Sequence, residues 1–369
     1  MLVAIVGSGQ LARLMALAGK KIGVRCSFLA GAEENASPVE GLGTLVRLRE
    51  PWNPAQLLSA LGNPDVVTVE NEHVNLDLLR QLAESCPVHP NPDALAALGH
   101  RLSEKELIDS LGLDTAPFVG ANNAQDIEVA AERLGLPLFI KACRGGYDGK
   151  GQWRLYSDED VQAFNKDFPS GDWLAEARID FEREVSLIAV RSHSGETAFY
   201  PLTENRHEEG ILVSSIAPAG NVSPTLDDRA RSYIGKLMDT LDYVGVMAME
   251  CFLAGDRLLI NEIAPRVHNS GHWTLHSEAT CQFENHLRAV LGLAPGATDI
   301  QRFEGIVNVL GQHWSEDDRA SLPANADYVD YNKSAAPRRK LGHIHVSSND
   351  REALRETLER LRPNLKPAA

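Results

Sequence analysis

Apolar and polar positions along the chain alternate in blocks. A short apolar run covers residues 2–6, then Gly7-Ser8-Gly9-Gln10 leads into residues 11–18, whose apolar members recur at helical spacing. Further apolar runs lie at 24–29, near 45–47 and at 65–70. Strands alternating with helices in this way predict a parallel sheet with helices on both faces. Pro87, Pro90 and Pro92 mark the exit from this unit. Residues 93–111 then predict a helix charged on one side, broken over 112–117, and 122–134 predict another, capped by Asn122 and Asn123. Strands dominate 174–265, at 184–190, 197–202, 245–253 and 258–263, interrupted by an amphipathic helix at 227–241. A helix at 282–291, strands near 306–310 and 341–347, and a closing helix from Asp350 complete the pattern.

One segment breaks the alternation. An apolar run at 136–140 delivers Lys141, and after Ala142-Cys143-Arg144 come Gly145, Gly146, Gly149 and Gly151, interleaved with Tyr147, Asp148 and Lys150. Strand character resumes from Gln152 and Trp153. Glycines let backbone N–H groups wrap a phosphate chain, and lysines supply the counter-charge. The segment therefore predicts strand, phosphate-covering loop, strand. It is not a P-loop, because no Gly-Lys-Ser/Thr leads into a helix.

Composition narrows the class. A chain of 369 residues exceeds one ordinary core and predicts two or three domains. With 43% hydrophobic and 24% charged residues it reads as a soluble globular protein. A net charge of -15 argues against nucleic acid as the main partner, while leaving room for small anions held by local Arg and Lys clusters. Five scattered cysteines, odd in number and without a C-x-x-C pair, point to a reduced, cytoplasmic setting. Neither a signal peptide nor a membrane span is expected.

Four further constellations carry chemistry. Gly7 to Ala12 satisfies the G-x-G-x-x-G/A dinucleotide fingerprint, which also expects an acid at the end of the second strand. That region reads Phe28-Leu29-Ala30-Gly31-Ala32, with Glu33 only beyond a glycine turn, so a dehydrogenase is disfavoured. A helix N-terminus binding some other phosphate is the remaining expectation. Residues 246–250 and 258–262 flank Ala254-Gly255-Asp256-Arg257 and predict a hairpin that sets Glu250 opposite Asn261 or Glu262. Two such carboxylates need a cation between them, and hard oxygen ligands beside an Asn suit Mg²⁺ carrying nucleotide phosphates. His268, His272 and His276 have helical spacing, but Pro265, Asn269, Ser270 and Gly271 oppose a regular helix. A loop offering N–H groups and Arg266 to an anion fits better than a transition-metal site. Lys333, Arg338, Arg339 and Lys340 form a basic cluster suited to a substrate phosphate. His343 and His345 share one strand face and read as structural.

Taken together these segments resemble the ATP-grasp enzymes, and among them the N5-carboxyaminoimidazole ribonucleotide synthetases of purine biosynthesis. The similarity covers nearly the whole chain. It rests on Gly9-Gln10-Leu11, Arg101-Leu102, residues 144–152, Glu184-Val185-Ser186, Tyr200-Pro201-Leu202-Thr203, residues 245–252, and above all the run from Asn261 to Thr274. The implied fold is mixed α/β and α+β: a Rossmann-like pre-ATP-grasp unit over 1–94, an ATP-grasp unit over 95–295 with its lid at about 115–178, and a small substrate-binding unit over 296–369.

The resemblance implies ATP contacts from Arg101, Lys141, Gly146 to Gln152 (Tyr147, Asp148, Gly149, Lys150 and Gly151 included), Glu176, Ala177, Arg178, Ile179, Glu184, His207, Asn261 and Glu262. It implies Mg²⁺ on Glu250 and Glu262. The ribonucleotide would meet Gln10, Leu11, Glu70 or Glu72, Asn269, Lys333, Arg339 and Lys340. Tyr147, Asp148, Lys150 and Arg266 would act on bicarbonate, the amine and carboxyphosphate. A homodimer is the further implication. Departures from the family pattern are Ala12 for Gly, Ala142-Cys143 after the lysine, and Ala336-Pro337-Arg338-Arg339-Lys340 where Arg-Pro-Gly-Arg-Lys is usual. Rival readings are a formate-using glycinamide ribonucleotide transformylase and a nucleotide-binding regulator without turnover.

Overall fold

The computed structural model describes residues 1–145 and 151–362. The first unit is a four-stranded parallel sheet in the order β3-β2-β1-β4, built from β1 (Leu2–Val6), β2 (Arg25–Ala30), β3 (Gly43–Arg47) and β4 (Val66–Val69). Helix α1 (Gln10–Lys21) packs on one face with Ile5 and Phe28, while α2 (Pro54–Ala60) and α3 (Leu76–Ala83) pack on the other with Ala4, Leu29 and Val67. Burial on both faces explains why these strands read as apolar runs without alternation.

The helix expected over 93–111 is two helices, α4 (Pro92–Leu98) and α5 (Arg101–Ser110). Gly99 ends the first, and His100 caps the second by accepting the Ser103 N–H at 3.3 Å through Nδ1. The break sets Arg101 in the first turn of a new helix.

A second sheet, antiparallel in the order β5-β8-β6-β7, contains β5 (Phe118–Ala121), β6 (Leu138–Ala142), β7 (Gln152–Leu155) and β8 (Trp173–Ala177). It is covered by α6 (Ala124–Leu134) and α7 (Asp158–Lys166). Asn123 caps α6 through the Asp126 N–H. Lys141 pairs with Gln152 across β6 and β7, so the Gly-rich segment is the connection of a hairpin.

The third sheet has nine antiparallel strands. Its path runs β14-β13-β9-β11-β12-β15-β17-β16, with β10 paired to β9. The strands are β9 (Arg183–Arg191), β10 (Thr197–Phe199), β11 (Thr203–Glu208), β12 (Ile211–Ala217), β13 (Gly245–Ala254), β14 (Arg257–Ala264), β15 (Phe303–Leu310), β16 (Ala326–Asp330) and β17 (Lys340–Ser348). Its helices are α8 (Pro224–Thr240), α9 (Gln282–Val290), α10 (Glu316–Ala320) and α11 (Arg351–Leu361), the last capped by Asp350. The strands after residue 302 therefore extend the central sheet through the β12–β15 pairing. The chain from Asn269 to Leu275 forms a 3-10 turn, tighter than the loop expected there. Ser270 bonds Ser186 at 2.8 Å and Trp273 donates to Thr203 at 3.1 Å, which fixes that turn on the sheet.

Among the described residues, no helix is long and apolar enough to cross a membrane.

Candidate active site

A cleft of about 1430 Å³ lies where the three sheets meet. Single small-ligand pockets run to roughly 300–1,000 Å³, so this one has room for a nucleotide beside a second substrate. It gathers Gln10, Leu11, Glu70, Glu72, Arg101, Lys141, Gly151, Gln152, Glu176, Ala177, Ile179, Glu184, His207, Glu250, Asn261, Glu262, Arg266, Asn269, Lys333, Arg339 and Lys340. The Arg178 side chain is not brought in; it pairs with Asp180 at 3.0 Å at the surface. Gly146, Tyr147, Asp148, Gly149 and Lys150 lie outside the described residues.

The acidic hairpin forms with Glu250 opposite Glu262, a bulge following Glu250. Arg101 reaches Glu262 at 2.9 Å. Burial would raise the Glu262 carboxyl, but Arg101 outweighs it and keeps it ionised. Glu250 has no arginine so close among the described residues. The His268 ring lies 3.6 Å away, and burial together with the Glu262 and Glu184 charges lifts the Glu250 carboxyl well above the usual range, against His207 and Lys340. His268 itself is driven down to about 3 by burial and by Arg266, so it stays neutral. His207 hydrogen-bonds Glu184.

Behind the hairpin sits a buried cation–carboxylate cluster. Glu176 binds Lys105 at 2.8 Å and also Lys141. Burial would raise Glu176, yet the two ammonium groups hold it at about 2. Lys105 is completed by Thr115 Oγ1 at 2.7 Å and Ile260 O at 3.1 Å. Glu104 is buried beside Glu262 and pushed up to about 8, chiefly by burial. Sequence reasoning missed Glu104 and Lys105. Their signal was positional: 101, 104, 105 and 108 share one helix face, and Ile108 marks that face as buried.

The start of α1 narrows an expectation. Three of its N–H groups are taken by the protein's own carboxylates, while Gln10 and Leu11 line the cleft. Glu70 accepts from Gly9 and, at 2.9 Å, from Ala12, while Glu34 takes the Ser8 N–H at 2.8 Å. Gly7 has φ +114, and a Cβ there would collide with Glu70; one on Gly9 would lie 2.9 Å from its Oε1. The glycines of the fingerprint thus admit Glu70. A dinucleotide pyrophosphate would meet two carboxylates where it needs bare N–H groups.

Around that carboxylate the other predicted contacts assemble. Lys333 donates to Gln10 at 2.6 Å, tying the β16–β17 connection to α1. Arg266 grips Glu72 through both Nε and Nη2, the latter at 3.1 Å. Gln282 clamps the His268 backbone, accepting its N–H at 2.9 Å and donating to its carbonyl at 2.6 Å, which presents Asn269 to the cleft. Both amide atoms of Asn269 are buried with no partner among the described residues. Arg339 donates to Ser334. Arg338 has φ +61, the left-handed region glycine favours, and pairs with Glu209 on the β11–β12 turn. Phe181 and Phe252, also unforeseen, stack with centroids 4.5 Å apart on the cleft wall.

Known proteins share this arrangement. Residues 1–98 match the model of the ribonucleotide synthetase preATP-grasp domain, 106–283 that of the ATP-grasp domain, and 305–357 that of the phosphoribosylaminoimidazole carboxylase C-terminal domain. N5-carboxyaminoimidazole ribonucleotide synthase of Vibrio vulnificus is 38% identical over 357 residues, covering 93% of this chain and 90% of that protein. The chain belongs to the N5-carboxyaminoimidazole ribonucleotide synthase family. The Escherichia coli synthase is 36% identical, covering 99% of this chain and 95% of its own. The synthetase structure from Thermus thermophilus superposes with a TM-score of 0.90 at 39% identity, covering 100% of both chains. That of Aspergillus clavatus, in complex with ADP and 5-aminoimidazole ribonucleotide, gives 0.86 at 27% identity over 98% of this chain and 97% of that one. The departure at Arg338 is thus set within a synthase whose fold is otherwise closely kept.

Proposed function

We propose that this chain carboxylates the exocyclic amine of 5-aminoimidazole ribonucleotide, using ATP and bicarbonate and releasing ADP and phosphate. The observation that carries the reading is the cleft itself. One cavity is lined by the carboxylate hairpin, by Lys141 and Glu176, and by Gln10, Asn269, Lys333, Arg339 and Lys340, which supports a nucleotide and a ribonucleotide held side by side. The partnerless Asn269 amide is what a ribonucleotide's hydroxyl or phosphate oxygens would satisfy.

In this reading a bicarbonate oxygen attacks the γ-phosphorus of ATP, and ADP leaves with the electron pair of the broken P–O bond. The amine nitrogen of the ribonucleotide then takes the carboxyl carbon of carboxyphosphate, loses a proton, and phosphate departs. Phosphoryl transfer is governed by positioning and charge neutralisation. Lys141 and Arg101 would hold the phosphates, Glu184 and His207 the nucleoside side, and Arg266, fixed by Glu72, the carboxyphosphate. Glu250 and Glu262 would hold Mg²⁺. Their oxygens are hard donors in direct register, and burial with the neighbouring carboxylate charges raises the Glu250 carboxyl, a cost that a bound cation would offset. Among the described residues no group of three His, Cys, Asp or Glu forms a metal site, which suits a cation that completes its shell with phosphate oxygens and water. When bound, that cation supplies charge neutralisation to the β- and γ-phosphates. A cytoplasmic homodimer follows from the family resemblance, and sedimentation would check the dimer.

The test is ADP formation from ATP and 5-aminoimidazole ribonucleotide with and without bicarbonate. Bicarbonate-dependent ADP release with carboxylated product is expected. Turnover with formate in its place, or ATP binding without turnover, would replace this reading by one of its rivals.

A further inference from the structure

A second cavity, of about 760 Å³, lies on the reverse of the central sheet. Along β9, Glu184 faces the cleft while Arg183 faces this cavity, and on β13 Phe252 and Leu253 divide in the same way. Arg351 and Arg355 of α11 form part of its wall, so it lies between the central sheet and the C-terminal helix.

Its charge is unbalanced. Glu204 alone receives three guanidinium groups: Arg183 at 3.1 Å, Arg351 at 2.7 Å and Arg355 at 3.4 Å. Glu352 reaches only Arg355, at 4.0 Å, and the other two acids of the lining, Glu182 and Asp256, show no ion pair to these arginines among the described residues. Glu182 accepts the Gly255 N–H at 3.2 Å, and Arg229 bonds the backbone carbonyl of Asp256, not its carboxylate, at 2.7 Å. Arg351 Nε is buried without a hydrogen-bond partner. Its guanidinium lies where a Cβ on Gly220 would be, 2.8 Å away, so a glycine makes room for it. Four arginines line the cavity against three acids, of which Glu204 alone is paired to them, in a chain of net charge -15, and each guanidinium carries planar donor edges. Phosphate oxygens match such edges in pairs.

We propose that this cavity binds a small phosphate-bearing anion, separate from the nucleotide cleft, with Arg229, Arg351 and Arg355 as its principal contacts. The helix start at Ser223 and Pro224 adds its positive end to the same wall.

The test is calorimetric titration of the full chain with inorganic pyrophosphate while the cleft is saturated with a non-hydrolysable ATP analogue, with ADP titrated in a second arm. One pyrophosphate site is expected. The Arg229→Gln/Arg355→Gln double variant should weaken it at least about tenfold, as loss of charge-assisted bonds demands. Both side chains lie outside the cleft, so turnover of the double variant should match the parent and report that it is folded. Tighter binding of ADP than of pyrophosphate in the analogue-filled protein would assign the anion to a nucleotide, the reverse to a free phosphate. No binding by about 10 mM, binding displaced by the analogue, or binding indifferent to the double substitution would overturn the proposal.

Discussion

Replacing Lys105 with Met tests the electrostatic core of the site. Glu176 has a carboxyl at about 2 against an ordinary 4.5, and 4% side-chain exposure, so solvent screens it little. That depression corresponds to about 3 kcal/mol of stability at neutral pH, already net of the burial penalty. Lys105 is the larger of the two lowering influences. Without it Glu176 keeps the full burial penalty against Lys141 alone, and its carboxyl moves above the unfolded value. The Thr115 and Ile260 groups that Lys105 bridges still bond each other at 2.7 Å, so little is lost there. The expected destabilisation is about 3–5 kcal/mol, the range for breaking a buried pair from one side.

Urea unfolding of parent and variant across pH measures it. In the parent the folded carboxyl is depressed, so its contribution is full above about pH 4.5 and lost as pH falls through about 2. In the variant it is raised, so the penalty is full at neutral pH and relieved by protonation on acidification. The difference between the two must therefore be largest near neutrality, begin to shrink as pH falls through the variant's raised carboxyl, and shrink further below about pH 4.5 as the parent loses its own contribution. Lys105→Met/Glu176→Gln should recover at least about half of the loss, since no bare carboxylate remains. A single-variant cost under about 1 kcal/mol, one independent of pH, or a double variant no better than the single would refute the argument. The ATP KM should also rise in the single variant, because Lys141 cannot leave Glu176 for a phosphate once it is the sole counter-ion.

Three further outcomes are expected. Gly9→Ala puts a methyl group 2.9 Å from Glu70 Oε1 and displaces the carboxylate from its two N–H donors. It should cost about 1–3 kcal/mol in denaturant titration and raise the ribonucleotide KM but not that for ATP. Glu262→Gln should abolish Mg²⁺-dependent turnover while the protein still folds; near-normal activity would remove Glu262 from the metal assignment. Lys333→Ala frees Gln10 and should raise the ribonucleotide KM more than the ATP KM in steady-state assays, and equal rises would move Lys333 elsewhere.

What the sequence disclosed followed from how local the determining contact is. That Glu250 meets Asn261 or Glu262 was legible because Gly255 and Asp256 fix a tight turn and register counts outward from it. Plain counting gives Asn261, and the bulge after Glu250, which no local signal announces, shifts the pairing to Glu262. Lys105 was hidden because a charged helix residue reads as solvated; its partners Glu176 and Ile260 arrive from 71 and 155 positions away. Strand β11, Thr203-Glu204-Asn205-Arg206-His207-Glu208, carries almost no apolar residue, since it serves His207 to one site and Glu204 to the other cavity. The Gly7–Ala12 fingerprint is ambiguous for a different reason. Its glycines report that an anion approaches the backbone closely, and say nothing about whether the anion is a ligand or Glu70, 61 residues further on.

The acidity of the chain and the binding of anionic substrates are reconciled by pairing. Cations in the cleft are mostly already matched with a carboxylate: Arg101 with Glu262, Lys141 with Glu176, Arg266 with Glu72, His207 with Glu184, Arg338 with Glu209. Paired in this way they can be held in low dielectric without the cost of bare charge. A phosphate that engages Arg101 competes with Glu262 for it, and a carboxylate so released beside Glu250 demands a cation of its own. Nucleotide and divalent cation should then bind with positive linkage, each enhancing the other by the same factor. Glu176 differs, because in the proposed reading Lys105 would stay with it if Lys141 turned to the phosphates. A second, buried lysine is thus what would let the first one leave, and its position on the hidden face of α5 is what the break at Gly99 and His100 secures.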